Sequence, residues 1–367
     1  MEQNDKTFKR KVSVMKLTPK NALRVRKITT LVLSLLLFAL SLLSAPYIAL
    51  AIPPDLISPP EPVIAPLKAD PLSSVSAPIE SEPSDFSEPV SEPEESVPDS
   101  SDEPVSAPEG AIPVLSQSFC RYEPGETPKL YLNNETSLAI DLDAVLKQPL
   151  PVTLPADAGP AVLIIHTHGT ESYLPEDRDY VSESDSFRSD DPEETVVAVG
   201  DVIAEVLLQN GIFALHDRTM YDKDDYNTAY VSASRATRKW LAKYPSIRFV
   251  LDIHRDSIFT EDGSCVKAVT EINGVQTAQI MLVAGSEADG SNRYYWQKNF
   301  VLAAHLQQSL GETYPTLARP LNLRSWAFNQ NLCPGSLLLE VGSCGNTLGE
   351  AKNAARLFAE VYAALLQ

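Results

Sequence analysis

Apolar runs and segments of helical periodicity alternate along the C-terminal part of this 367-residue chain. Continuous apolar runs indicate buried strands at 161–165, 212–215, 248–253 and 336–339, and two more strands at 266–272 and 279–283 around an Asn273-Gly274 turn. Weaker strand signals occur at 130–134 and 138–142. Helical periodicity covers 195–210, 226–243 and 299–310, and Thr347 to Glu350 form a capping box that opens a C-terminal helix. This alternation predicts an α/β domain with a mostly parallel central sheet flanked by helices.

Polar residues of catalytic type lie where these predicted strands end. His168 follows the first strand, His254 follows a later one, and Glu340 ends the last. The chain has only five histidines, and three of them, the two above and His166, lie at such ends. Because ligands of open α/β sheets bind at the carboxyl ends of the strands, these side chains form the candidate site.

The residue types at that edge suit a zinc ion. Two imidazoles and one carboxylate are common protein ligands of Zn²⁺, and three protein ligands leave a fourth position open for catalysis. His168 and Glu171 have an H-x-x-E spacing in the loop after the first strand, and His254 completes the set from another strand. Alternatively, each is a hydrogen-bonded residue at the sheet edge. His166 is interpreted as a neighbour that orients a ligand or stabilises the oxyanion, or as a structural histidine.

Glu340 is costly to bury without a partner, which favours a role as general base. The alternative is a structural carboxylate that caps backbone amides of the loop 342–345. Arg255 and Asp256 follow His254, and they either bind substrate carboxylates and orient an imidazole, respectively, or form a salt bridge with each other. Asn329 and Gln330 are weaker candidates for contact with substrate.

Charge is distributed unevenly along the chain. Residues 1–27 carry nine Lys or Arg and two acids, and 28–51 form an uncharged apolar run of bilayer-spanning length. Because basic residues stay on the cytoplasmic side, this order predicts a single-pass membrane anchor with an extracytoplasmic C-terminal domain. A cleaved signal peptide is the alternative, since Ala49-Leu50-Ala51 resembles a cleavage site, but the length of the run favours the anchor.

The segment 52–112 is rich in Pro, Ser and Glu and predicts a disordered acidic linker. The domain 113–367 holds 33 acidic and 20 basic residues, so nucleic acid is not expected as a partner. Four cysteines lack C-x-x-C spacing, which disfavours a cysteine zinc site. They form disulfides, with Cys333 and Cys344 nearest in sequence, or remain buried thiols.

Four strings resemble the stage II sporulation protein P family: VLIIHTHGTESY (162–173), VVAVGDVIAEVLLQNGIFALHDRT (196–219), FVLDIHRDS (249–257) and SLLLEVGSCGNTLGEA (336–351). That family comprises membrane-anchored cell-wall hydrolases distantly similar to zinc-dependent N-acetylmuramoyl-L-alanine amidases. The resemblance implies an amidase/zinc-carboxypeptidase-like (phosphorylase/hydrolase-like) fold. It also implies cleavage of the lactyl-alanine amide of peptidoglycan, endopeptidase activity on cross-links, septal wall thinning and engulfment during sporulation, and collaboration with the lytic transglycosylase stage II sporulation protein D.

The resemblance also implies roles for individual residues. His168 matches the first metal ligand of the amidases, His254 matches the last histidine, and Glu340 matches the catalytic glutamate of a V-E-x-G motif. The amidases take their carboxylate ligand from the start of the following helix, where Glu193 and Glu194 stand.

Glu171 competes with those two residues through its local spacing. We favour it, because acidic residues in the first turn of a helix are commonly partners of the helix dipole. Two other functions use the same residues: a catalytically silent scaffold that binds peptidoglycan and recruits other hydrolases, and a carboxypeptidase-like metalloprotease.

Overall fold

The computed structural model of the protein describes residues 107–108, 110–120, 130–157, 159–182, 185–286 and 294–367. Its strands, numbered in chain order, are β1 (Ile112–Gln117), β2 (Leu132–Asn134), β3 (Val162–Ile165), β4 (Tyr180–Val181), β5 (Ala214–His216), β6 (Phe249–Asp256), β7 (Cys265–Ile272), β8 (Val275–Ala278), β9 (Ile280–Gly285), β10 (Leu321–Arg324) and β11 (Ser336–Ser343). Its α-helices are α1 (Leu142–Leu146), α2 (Val196–Gln209), α3 (Ala229–Lys243), α4 (Trp296–Thr313) and α5 (Leu348–Leu366).

The larger of two sheets has seven strands in the order β2, β10, β9, β11, β6, β3, β5. Its neighbouring strands run parallel except β9 and β11. The smaller sheet, β4, β1, β7, β8, combines one parallel pair with two antiparallel pairs. The α/β class is confirmed. The large sheet has five parallel pairs and one antiparallel pair, whereas the smaller sheet is mixed, so the expected mostly parallel arrangement does not extend to the smaller sheet. The chain between β6 and β9 runs through the β7–β8 hairpin and contains no α-helix, so β9 enters the large sheet without the crossover helix that usually joins parallel strands.

Alternation of side chains along β3 divides the apolar core between the two faces of the large sheet. Val162 and Ile164 pack with α2, α4 and α5, whereas Leu163 and Ile165 pack with α3 on the opposite face. All four are almost completely buried, and each such side chain contributes about 1.5–3 kcal/mol. The strand is therefore held firmly, and so is the loop that leaves its carboxyl end.

Several predicted elements are confirmed with shifted ends. α2 begins after Thr195, whose side chain accepts a hydrogen bond from the Val197 amide, and the capping box that opens α5 is present. Strands β6 and β11 extend further than predicted, so His254 and Glu340 lie inside strands rather than at their ends. The two residues are register partners, so the β6–β11 ladder continues through polar positions.

The predicted pairing of 266–272 with 279–283 is wrong. β7 pairs instead with β8, through a turn in which Asn273 and Gly274 both have positive φ, as a type I′ hairpin requires. The apolar run at 279–283 continues as β9 into the large sheet. Strands β1, β4 and β10 were not predicted. The signal at 138–142 is also wrong for a strand, since Asp141 caps α1.

The predicted basic segment, the anchor and most of the linker lie outside the described residues. Within the described part of the chain, no helix is long and apolar enough to cross a bilayer. Three of the cysteines, Cys265, Cys333 and Cys344, are buried free thiols. The Sγ atoms of Cys265 and Cys344 lie 3.1 Å apart, whereas Cys333 packs in a separate apolar cluster. The thiols in contact are therefore not the pair nearest in sequence.

Candidate metal centre

Three side chains from two segments converge at the edge of the large sheet. One ligand atom each from His168, Glu171 and His254 lies within 4.8 Å of the others. Glu171 Oε1 lies 3.5 Å from His168 Nδ1, and Glu171 Oε2 lies 3.5 Å from His254 Nδ1. All three residues are buried. Two imidazoles and a carboxylate at this spacing could hold one metal ion, and this combination is common at zinc sites that leave a fourth position open.

The loop after β3 is shaped by contacts that bring His168 and Glu171 together. The Glu171 amide donates to the His168 carbonyl oxygen at 3.2 Å, which closes a turn. A side chain at Gly169 would lie 2.8 Å from the Met220 Cα, so only glycine fits there without a backbone shift. Thr170 donates from its amide and its hydroxyl to the carboxylate of Asp222. These contacts hold the loop in the conformation that brings His168 and Glu171 together.

Asp252, which the sequence analysis did not single out, supports the third member of the set. It lies two residues before His254 on β6, so both side chains point to the same face. Its Oδ1 lies 3.0 Å from His254 Nε2, and its carboxylate also accepts hydrogen bonds from the amide and hydroxyl of Thr167. A carboxylate behind a ligating imidazole orients the ring and makes it a stronger ligand.

The electrostatics of the set favour a positive charge at its centre. Burial opposes ionisation of Glu171, but hydrogen bonds to His168 and His254 hold the pKa of its carboxyl well below the usual range. Burial acts against a charged His254, yet Asp252 and Glu171 raise the pKa of this imidazole well above its usual value. The surrounding carboxylates therefore stabilise a cation, which is the property that a divalent metal site needs.

Glu340 lies beside this set, on the strand next to that of His254. It is the register partner of His254, and its Oε2 atom is buried and makes no hydrogen bond to any described residue. Burial raises the pKa of this carboxyl to about 8, His254 opposes the rise, and Asp256 and Glu171 add to it. The loop amide at Ser343 is capped by Asn346 instead. An unpartnered carboxylate next to a metal ligand set suits a general base.

A family model places this chain among known proteins. The model of stage II sporulation protein P matches residues 80–363, which is more than three quarters of the chain. The chain belongs to that family. The resemblance stated from the four sequence strings is thereby confirmed.

A curated member of the stage II sporulation protein P family comes from Bacillus subtilis (strain 168). It is 28% identical over 212 residues, which cover 55% of this chain and 50% of that protein. The chain thus spans about half the length of this curated relative.

Solved structures with partial similarity are N-acetylmuramoyl-L-alanine amidases. AmiC2 of Nostoc punctiforme is 14% identical with a TM-score of 0.34, and covers 56% of this chain and 94% of its own. Ami1 of Mycobacterium abscessus is 15% identical with a TM-score of 0.35, and covers 57% of this chain and 100% of its own. CwlD of Clostridioides difficile, in complex with the GerS lipoprotein, is 13% identical with a TM-score of 0.33 and covers 56% and 94%.

The carboxylates of Glu193 and Glu194, the alternative ligands, form hydrogen bonds with other residues. Glu193 Oε1 accepts a hydrogen bond from Arg218 at 2.6 Å, and Glu194 Oε2 accepts one from the Ser189 hydroxyl at 2.7 Å. Neither belongs to the group of side chains that can share a metal ion within the described residues. The structure therefore brings Glu171, and not Glu193 or Glu194, to the two histidines.

His166 belongs to a separate buried network. Its Nδ1 lies 3.2 Å from the Ile253 carbonyl oxygen and its Nε2 lies 2.7 Å from His216 Nε2. His216 in turn contacts Asp201 Oδ1 at 3.0 Å. Gly200 makes room for the pair, since a side chain there would lie 2.7–2.8 Å from both rings. His216 has no motif of its own in the sequence, and no local spacing links it to His166.

Arg255 and Asp256 do not pair through their side chains. The Arg255 guanidinium is buried and donates to the carbonyl oxygens of Ser172, Phe187 and Asp256, while its amide donates to Glu171 Oε2. The Arg255 side chain is thus occupied by backbone carbonyl oxygens, whereas the Arg255 amide holds the Glu171 carboxylate.

Asp256 contacts no imidazole among the described residues, and its Oδ2 accepts a hydrogen bond from Arg319 at 2.8 Å. Gln330 is buried and bonds to the backbone of β9. Asn329 has a φ of 57° and donates to the Tyr230 carbonyl oxygen.

Two tyrosines form a wall against the metal ligand set. The ring of Tyr226 stacks on His168 with centroids 4.6 Å apart, and Tyr230 meets the same imidazole edge-on at 5.4 Å. Arg188 lies over Tyr226 at 4.8 Å and pairs with Asp222. These contacts cover the face of the His168 ring and restrict its orientation.

Proposed function

We propose that this chain is a zinc-dependent N-acetylmuramoyl-L-alanine amidase, which cleaves the amide between the lactyl group of the glycan and the peptide stem. The observation that carries this proposal is the convergence of His168, Glu171 and His254 beside the unpartnered carboxylate of Glu340. Membership of a sporulation protein family supports a role in remodelling of the cell wall during sporulation.

The residues divide the work of amide hydrolysis. When bound, Zn²⁺ supplies Lewis acidity to the scissile carbonyl and lowers the pKa of water. His168, Glu171 and His254 would hold the ion, and Asp252 orients the His254 ring. Glu340 takes a proton from the attacking water and delivers it to the leaving amide nitrogen, which departs as an amine. Its unpartnered Oε2 is free to accept that proton.

The wider biology forms part of the same proposal. The enzyme also cleaves peptide cross-links as an endopeptidase, is anchored by a single helix at 28–51, and exposes its hydrolase domain outside the membrane. It acts in septal wall thinning and engulfment together with the lytic transglycosylase stage II sporulation protein D. The basic segment 1–27 and the apolar run that follows it support this orientation.

Digestion of isolated cell wall tests the activity. The full-length chain, purified in detergent, should solubilise sacculi and expose new N-terminal alanine, and a chelator should stop the reaction until zinc is restored. Mass spectrometry of the fragments separates amidase, endopeptidase and carboxypeptidase cleavage, because each leaves different ends.

A variant with His168→Ala and His254→Ala provides the control. It should bind no zinc and release no fragments. Undiminished digestion by this variant would falsify the proposal. A zinc-free wild-type chain that binds sacculi without cutting them would instead identify the scaffold.

A further inference from the structure

A groove of about 420 Å³ lies on the exposed side of helix α3 and is lined by Tyr230, Val231, Ser234, Arg235, Arg238 and Asn329. One of its lining residues, Tyr230, also contacts the metal ligand set, because its ring meets the His168 imidazole edge-on at 5.4 Å. Asn329 lines the groove beside Tyr230, to whose carbonyl oxygen it donates a hydrogen bond. The groove thus adjoins the candidate active site through Tyr230 but contains none of its proposed ligands.

The spacing of the lining residues defines a direction. Arg235 follows Val231 by four residues and Arg238 follows Arg235 by three, so these side chains form a stripe along one helix face, with Ser234 at its margin. At 1.5 Å per residue, Arg235 lies about 7 Å and Arg238 about 12 Å along the helix from Tyr230. An extended peptide advances about 3.3 Å per residue, so this length accommodates three to four residues.

The charge of the groove indicates what it binds. Arg235 and Arg238 are exposed and form no salt bridge with any described residue, although acids outnumber bases in 113–367. Guanidinium groups recognise carboxylates through two parallel hydrogen bonds. The glycan offers no carboxylate once its lactyl group is amidated, whereas the peptide stem carries free carboxylates beyond its first residue. The side chain of Val231 is 60% exposed in the same groove and suits a short apolar side chain.

We propose that this groove binds the peptide stem of the substrate and that Arg235 and Arg238 recognise its carboxylates. The inference rests on the proposed amidase function and names the part of the substrate that the groove selects. The first stem residue then lies at Tyr230, next to the metal ligand set, and the carboxylates of later residues meet the two arginines in order. The arginines are recognition residues, since they do not reach the reacting atoms.

Paired muropeptides test the proposal. The full-length chain in detergent is assayed with a disaccharide tetrapeptide that has free stem carboxylates and with the same compound carrying amidated carboxylates. Wild-type kcat/KM should be 10- to 100-fold higher for the free acid, because two charge-assisted hydrogen bonds are lost on amidation. The R235Q/R238Q variant should lose that preference through a raised KM, with kcat nearly unchanged.

Lys239→Gln is the matched control, since Lys239 is exposed on the same helix but does not line the groove. It removes a positive charge as each arginine substitution does, and it should keep the preference for the free acid. Zinc content and the thermal midpoint should be equal in all three chains. An R235Q/R238Q variant that still prefers the free acid, or a K239Q variant that loses the preference equally, overturns the proposal.

Failure of the amidase function is recognised separately. If the wild type cleaves neither muropeptide, the proposed activity is wrong, and calorimetric titration of the same two compounds then decides on the groove. Tighter binding of the free acid by the wild type but not by R235Q/R238Q supports the groove without catalysis. Equal binding of both compounds by the wild type rejects it.

Discussion

Asp252 Oδ1 lies 3.0 Å from the Nε2 atom of His254, on the same face of strand β6. The same carboxylate accepts two hydrogen bonds from Thr167, which precedes His168 in the loop after β3. One buried side chain therefore sets the orientation of one proposed ligand and the position of another. Asp252 connects the two segments from which the metal ligand set is built.

Asp252→Asn should weaken zinc binding by about 10- to 100-fold, because a neutral amide orients the imidazole less well and makes it a poorer ligand. Competition with a chromophoric chelator measures the affinity. Asp201→Asn is the control, since Asp201 contacts His216 and not a proposed ligand. Equal losses in the two variants would mean that Asp252 acts through general stability and not through His254.

The identity of the carboxylate ligand is tested by three single substitutions. Glu171→Gln should remove the bound zinc, because it deletes the negative charge between the two histidines. Glu193→Gln and Glu194→Gln should retain about one zinc per chain, because their carboxylates contact Arg218 and Ser189. Elemental analysis after dialysis measures the content. Zinc loss in either of the latter variants, with retention in Glu171→Gln, would reverse the assignment.

Glu340→Gln should lower kcat by about 10²- to 10⁴-fold while zinc content stays unchanged, because proton transfer is lost and the ligands remain. Release of fragments from sacculi and elemental analysis are measured on the same preparation. Glu360→Gln provides the control, since Glu360 is an exposed carboxylate on α5. If kcat stays within a few-fold of wild type, Glu340 is not the general base.

The sequence located much of this site because chemistry-bearing residues follow buried apolar runs. His168, His254 and Glu340 each follow such a run, and topology brings those runs to adjacent strands. The choice of Glu171 over Glu193 came from local spacing, and the structure brings Glu171 to the histidines. Asp252 was missed because an acid inside the string FVLDIH carries no motif of its own.

Contacts between distant segments were beyond the sequence. The pairing of His166 with His216 joins β3 to β5 across 50 residues, and the thiol contact of Cys265 with Cys344 spans 79. The apolar run at 279–283 also does not encode which sheet β9 joins, or that β9 lies antiparallel to β11 in that sheet. Periodicity identifies elements, but their neighbours are selected by tertiary packing.

The contact between Cys265 and Cys344 makes them a disulfide pair under oxidising conditions. Oxidised glutathione should convert the two thiols to one disulfide, with release of two reduced glutathione molecules and loss of two hydrogens from the chain. The cross-link should stabilise the fold by about 2–4 kcal/mol. Peptide mapping should link 265 to 344, while Cys333 remains reduced. Glutathione attached to single cysteines, with no linked peptide, would contradict this pairing.

The buried histidine pair makes the fold sensitive to acid. His166 is fully buried, and burial, with a further contribution from the neighbouring His216, lowers the pKa of its imidazole to about 3. In the unfolded chain the same group titrates near 6.5, so the unfolded state binds the proton first as the pH falls. The stability that His166 contributes is therefore fully present above pH 6.5 and is lost progressively towards pH 3.

Urea unfolding of the chelator-treated chain at pH 7 and pH 4 measures this loss. Between these two values His166 should account for about 3 kcal/mol of the decrease in the free energy of unfolding. His166→Gln should remove that part of the pH dependence, because glutamine does not titrate. His305→Gln should leave it in place, since His305 lies outside the His166–His216 network and forms a hydrogen bond with the Gln148 carbonyl oxygen. A His166→Gln chain that loses as much stability as wild type on acidification would show that another group takes up the proton.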